Sequence, residues 1–184
     1  MASVARVKES RHIRLNQKVN PYEYIEMAKI EFVSFNQVEP ADLLPVVNEP
    51  ALRTHLVDHE YFDSASIKQW MIGKAQTDSI AGCRVRVVNI EGVVAGWCGI
   101  QPDDNGYEIA IVISKEYWGF GISIFNSMMA WAKELGHKEV VFHLLETRPE
   151  YKALKRRSIQ VQRTELLDRS FTTYFISVDR WCAE

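Results

Sequence analysis

The 184-residue chain has only three cysteines, Cys83, Cys98 and Cys182, an odd number with no CxxC spacing. That pattern excludes a disulfide framework and a cysteine-based zinc site, so the three read as reduced thiols, with Cys98 buried. Net charge is equally small: 22 Lys and Arg against 24 Asp and Glu leave −2, which supplies no field for capturing nucleic acid. Long apolar runs are missing as well. The longest, "GVVAGWCGI", is too short to cross a bilayer, and the opening "MASVARVKESRHIRLNQK" has bases but no apolar h-region. The expected setting is the cytoplasm, with neither nucleic acid nor membrane as partner.

Two familiar phosphate and metal motifs are also lacking. No Gly-Lys-Ser/Thr follows a strand, which removes a P-loop. In "HLVDHEYFD", His55 and His59 stand four apart near Asp58, Glu60 and Asp63, a spacing that on a helix would put both imidazoles on one face. Leu56 follows His55, so the HExxH pattern fails, and no third ligand stands at a suitable spacing; no metal is expected.

What is present is an ordinary core, 47% hydrophobic residues, with strand and helix patterns closely interleaved. Residues 1–28 read as an N-terminal extension and 29–184 as a single domain. "KIEFVSFNQV" (29–38) predicts a strand, and the proline-punctuated segment after it predicts short helical pieces. "DSASIKQWMIGKAQ" opens with a capping signal and places Ile67, Trp70 and Met71 on one helix face. "CRVRVVNI", "VVAGWCGIQ" and "YEIAIVIS", separated by "EG" and "PDDNG", predict an antiparallel meander. Ile122, Phe125, Met129 and Ala132, with Met128, Trp131 and Leu135, then repeat at helical spacing up to Gly136 as C-cap. "KEVVFHLL" reads as a strand, "PEYKALKRR" as a short helix opened by Pro149, and the last two apolar segments as a hairpin. The class is α+β (mixed α/β).

Between the third meander strand and the long helix stands "SKEYWGFGIS", with Gly119 and Gly121 at the handover. A helix that starts directly after a strand leaves its first N–H groups unpaired at the positive end of its dipole, which makes an anion site. Glycines there admit a bulky anion to the backbone, and Ser123 adds a hydroxyl. The plainer reading is a tight loop. A Rossmann fingerprint is not formed, because residue 124 is Ile and the preceding strands are a meander.

Strand, Glu116-Tyr117-Trp118-Gly119-Phe120-Gly121 and helix, in this order of elements, resemble the GNAT superfamily of acetyl-CoA-dependent N-acetyltransferases, whose hallmark is (Arg/Gln)-x-x-Gly-x-(Gly/Ala) in that slot. The resemblance runs from about residue 29 to 178, and "EFVSFNQVEPADLLPVVNEPALRTHL" is most similar to the branch that acetylates ribosomal-protein N-termini. It implies a central, mostly antiparallel sheet of 6–7 strands with flanking helices. It also implies acetyl-CoA as cosubstrate, its pantetheine arm between strands 107–114 and 139–145 on backbone groups of Val112 and Ile113. The pyrophosphate is then expected over Glu116, Tyr117, Trp118, Gly119, Phe120, Gly121 and Ser123. Glu116 replaces the usual Arg or Gln, and Thr147, Leu154 and Ser158-Ile159 replace the later Asn, Tyr and Gly-Phe.

The acceptor implied is a primary amine, of a small molecule or a protein N-terminus. Glu108, on one face with Ala110 and Val112, is the expected base, and Tyr151 the substitute general acid. Trp97, Trp118 and Phe120 are expected to wall a slot, and His143 to be a hydrogen-bonded core histidine. A homodimer is left open. The lost Tyr and Gly-Phe positions leave a second reading, a degenerate GNAT-like fold that binds acyl-CoA or another protein.

Overall fold

The computed structural model describes residue 25 and residues 27–183. Most of the expected extension, 1–28, therefore lies outside the described residues. The strands are β1 (Ile30–Val33), β2 (Arg84–Ile90), β3 (Val93–Asp103), β4 (Gly106–Ile113), β5 (Glu139–Leu145), β6 (Gln160–Leu166) and β7 (Arg169–Ser177). They form one sheet in the order β1-β2-β3-β4-β5-β7-β6. The helices are α1 (Pro40–Val47), α2 (Pro50–Arg53), α3 (Ser64–Asp78), α4 (Gly121–Glu134), α5 (Lys152–Arg157) and α6 (Val178–Ala183), with 3-10 turns at Phe35–Gln37 and Lys115–Phe120.

Local chemistry sets the helix ends. The Asp63 carboxylate accepts from the N–H groups of Ala65 and Ser66, and the Ser66 hydroxyl accepts from the Asp63 N–H, so α3 starts on a reciprocal capping box. Gly136, at φ 82°, follows the end of α4 in the left-handed conformation that a helix C-terminus favours. Each sheet face then has its own cover. Leu43, Leu52, Ile67 and Met71 close over Val85, Val87, Trp97 and Val112 on one side. Ile124, Phe125, Met128 and Met129 of α4, with Trp181 of α6, close over Cys98, Ile109, Val140, Tyr174 and Ile176 on the other. Cys98 is fully buried, and burial pushes its thiol far above the usual range.

Every neighbouring pair in the sheet is antiparallel except β4 and β5, which are parallel and joined by one register pair, Glu108↔Val141. Beyond it β4 continues to Ile113 and β5 to Leu145 without further pairing, so the sheet opens between them.

Three expectations are corrected. The first strand ends at Val33, because Gln37 returns to the Ser34 backbone and winds residues 35–37 into a turn. Ile122 is 58% exposed and Ile124 takes the buried position, which shifts the apolar face of α4 by two residues at its start. The helix after β5 begins at Lys152 with Tyr151 as N-cap, so Pro149 lies before it and does not open it.

Candidate active site

Glu108 sits on β4 at the apex of the opening, as the residue paired with Val141. Alternation places it on the α3 side of the sheet with Ala110 and Val112, and both of those belong to that side's apolar cluster. Its carboxylate accepts a bond from the Gln101 side-chain amide, and Gln101 in turn accepts from Lys74 Nζ at 2.7 Å. That ammonium stands 4.2 Å over the ring of Trp97 and 5.5 Å from that of Trp70. Burial pulls the Lys74 pKa down to about 8, against an opposing attraction from Glu108.

A second polar chain meets the first. Asp103, Glu108 and His143, from β3, β4 and β5, each bring one ligand-type atom within 4.8 Å of the others. His143 Nε2 bonds to Asp103 Oδ2 at 3.2 Å and Nδ1 to Thr173 Oγ1 at 2.7 Å, and Thr173 Oγ1 meets the Thr164 hydroxyl. Burial alone would raise the Asp103 carboxyl, but bonds from Asn105 and His143 outweigh it and hold it below the usual range. Both His143 nitrogens, both Asp103 oxygens and one Glu108 oxygen are thus engaged, in two hydrogen-bonded chains that lie side by side.

At the wide end of the opening, Trp118 Nε1 donates to the Ile113 carbonyl at 3.1 Å. The Arg148 guanidinium lies 4.6 Å over the Trp118 ring, and His55 meets that ring edge-on at 5.5 Å. His55 also bonds through Nδ1 to Thr147 Oγ1 at 2.9 Å, and burial followed by the Arg148 charge lowers its pKa. His59 turns instead to Arg53, so the two histidines do not share a helix face; residues 57–63 are irregular.

The glycines of the strand-to-helix step have separate explanations. A Cβ on Gly119 would come 2.9 Å from Ile25 Cδ1, so its bareness lets Ile25 pack. A Cβ on Gly121, the first residue of α4, meets nothing within 4 Å and so leaves open space beside the helix N-terminus. Residues 115–120 are wound as a 3-10 helix, and the Glu49 carboxylate accepts from the Lys115 N–H at 3.2 Å. Glu116 is exposed, Ser123 half-buried, Tyr117 half-buried and Phe120 turned into the core. Phe120 therefore offers backbone, not a wall.

The Val112 carbonyl points toward β3, where it would lie 2.1 Å from any Cβ on Gly96. Antiparallel alternation then turns the peptide groups of Ile111 and Ile113 to the other edge, toward β5. Ile111 and Ile113, rather than Val112 and Ile113, border the opening; strand parity was the signal that identifies Ile111. Leu154 is buried in the core where the resemblance expects a tyrosine, and Tyr151 is 45% exposed at the start of α5.

Tyr174 is a hydroxyl that sequence reasoning missed. It is fully buried, and its oxygen lies by the Tyr151 backbone without a hydrogen bond of normal geometry among the described residues. An unpaired buried hydroxyl costs its lost hydration, so Tyr174→Phe is expected to leave stability unchanged or raise it by up to about 1 kcal/mol in urea unfolding. A comparable fall would instead show that the hydroxyl is bonded, to the Tyr151 backbone or to a water.

The opening between β4 and β5, the β5-facing edge of Ile111 and the open space at Gly121 leave room for an extended ligand with an anionic end. No curated sequence matches this one. Solved structures do. A probable GNAT-family acetyltransferase from Chromobacterium violaceum is 15% identical, with TM-score 0.62 over 84% of this chain and 90% of that one. An N-acetyltransferase from Staphylococcus aureus is 12% identical, with TM-score 0.60 over 82% and 98%. A Salmonella typhimurium structure described with its cofactor acetyl-CoA is 14% identical, with TM-score 0.58 over 83% and 94%. These likenesses establish the fold, and the profile of the acetyltransferase (GNAT) family matches residues 48–155, more than half of the chain. The chain therefore belongs to the GNAT family of acetyltransferases, whose cosubstrate is acetyl-CoA.

Proposed function

We propose that the protein transfers the acetyl group of acetyl-CoA to a primary amine, with Glu108 as the base that frees the amine for attack. The observation that carries this reading is the place of Glu108: at the apex of the β4–β5 opening, half-buried, and anchored by Gln101. Bound acetyl-CoA supplies an electrophilic thioester carbonyl. Ile111 through its β5-facing N–H and carbonyl, and Ile113 through its N–H, hold the arm, and the first turn of α4 beyond Gly121, whose own N–H is donated to the Trp118 carbonyl, seats the phosphates with Ser123. Arg148, beside Trp118, supplies a cation at the same end, where Glu116 cannot.

An amine must be neutral to attack, and an α-amine at about 7.7–8.0 is easier to deprotonate than an ordinary lysine at about 10.4. A carboxylate that removes the proton directly or through water assists either. Tyr151, at the mouth of α5, is the group available to protonate the leaving thiolate, a role that its exposure leaves open to solvent as well. The acceptor enters from the α3 side, where Glu108 faces.

Calorimetric titration with acetyl-CoA, followed by assay of free CoA release with a panel of amines and peptide N-termini, tests the reading. Gly121→Val is expected to weaken acetyl-CoA binding at least about tenfold while the fold persists, because its side chain enters open space. Binding without CoA release on any amine favours the non-catalytic reading, to which the buried Leu154 also points. Equal binding by Gly121→Val overturns the phosphate seat.

A further inference from the structure

Lysines on the outer helices of a domain usually carry their ammonium into water. Lys74, on α3, does the opposite: its chain folds inward over the sheet, its Nζ 4.2 Å above Trp97 and 2.7 Å from Gln101 Oε1. Trp97 and Gln101 are four residues apart on one face of β3, and they pair with Val112 and Glu108 of β4. Only Ala110 separates those two on that face of β4. The ε-amine thus stands on the sheet face where β3 presents Trp97 and Gln101 and the adjoining β4 presents Glu108, Ala110 and Val112.

Two indole faces, an amide oxygen and a nearby carboxylate are the chemistry of a site for a primary ammonium. Here the chain's own lysine fills it. We propose that Lys74 is an acetyl acceptor of its own chain, modified by the acetyl-CoA that the protein binds. This inference rests on the proposed course of acetyl-CoA along β4.

The chemistry balances without a further reactant. The Lys74 ammonium gives one proton to Glu108 or to solvent. Its neutral nitrogen then attacks the thioester carbonyl carbon, an N–C bond forms, and the C–S bond breaks with its electron pair on sulfur. The second nitrogen proton leaves to the thiolate, so that acetyl-lysine and free CoA result. Burial favours the first step: at a pKa of about 8 roughly a tenth of Lys74 is neutral at pH 7, against roughly one in 2,500 for a lysine near 10.4. Glu108 is the charged group facing the amine, and Asp103 and His143, bonded to each other, lie beyond it with polar atoms within 4.8 Å of its carboxylate.

The test is intact-mass analysis of the full-length protein incubated with acetyl-CoA, with peptide mapping and parallel calorimetry. The expected result is a gain of one acetyl group at Lys74, absent in Lys74→Arg and slowed in Gly121→Val. Its initial rate should rise about fivefold from pH 7 to pH 8 as the neutral fraction grows. Lys74→Gln, checked for native circular dichroism, guards against an arginine that misfolds the site. Native binding of acetyl-CoA with Lys74 unmodified overturns the inference and leaves the functional reading intact. So does acetylation of exposed Lys138 as fast as of Lys74. Failure to bind acetyl-CoA at all overturns both.

Discussion

Replacing Glu108 by Gln is expected to lower kcat/KM for an amine acceptor by about a hundredfold to a thousandfold, with acetyl-CoA affinity unchanged. The amide keeps the size of the side chain but cannot take a proton, so the loss belongs to the chemical step. The surrounding bonds sharpen the prediction. Gln101 donates to Glu108 through its amide nitrogen and accepts from Lys74 through its oxygen, which fixes the rotamer of Gln101. A glutamine at 108 can still accept that bond through its own oxygen, and its NH2 then turns to the Asp103 and His143 side of the cluster. The fold should hold. Steady-state kinetics against pH distinguish the roles: removing a base lowers the neutral-pH rate and lets it recover as rising pH deprotonates the amine unaided. A rate within about threefold of the native enzyme would leave Glu108 structural and hand the proton to solvent.

Gly96→Ala is expected to be the most destabilising single methyl in the described part of the chain, costing at least about 3 kcal/mol or preventing soluble expression. Gly96 follows the bulge where β3 slips against β2 between Val88 and Asn89, and it lies across from Ile113 on β4. An added Cβ would lie 2.1 Å from the Val112 carbonyl oxygen and 2.7 Å from Ile113 Cα. Both are backbone atoms of a strand buried on two faces, which cannot rotate away as a side chain does. Its φ of 155° adds a conformation that L residues rarely adopt. Denaturant unfolding of Gly96→Ala beside Gly121→Ala checks this, since nothing meets a Cβ at 121. Equal stability of the two would contradict the packing described.

The meander, the helix that follows it and its Gly136 cap were legible in sequence because each depends on residues close together in the chain. Alternation in "YEIAIVIS" was enough to put Glu108, Ala110 and Val112 on one face. The first strand was read too long because Phe35 is apolar enough to continue an alternating pattern, while the bond from the Ser34 N–H to the Gln37 side chain, which bends the chain there, has no hydrophobic signature. Much of the candidate site was hidden for a related reason. Lys74 meets Gln101 across 27 residues, and His143 meets Asp103 across 40, so no local spacing links them. Lys74 itself looks like a solvent-facing helix residue until the sheet places Trp97 beneath it. The glycine pair was legible as special, but the sequence joined two causes that the structure separates: Ile25 explains Gly119, and open space explains Gly121.

The single register pair between β4 and β5 divides the backbone hydrogen bonding into two ladders, β1 to β4 and β7 with β5 and β6, sutured mainly by the α4 packing between them. Amide exchange should therefore sort into two cooperative blocks with different opening energies, and the N–H groups of Ile111 and Ile113 should exchange early although their side chains are shielded. A molecule built in this way has a compliant seam running through its centre, so its rigidity is to be measured in halves.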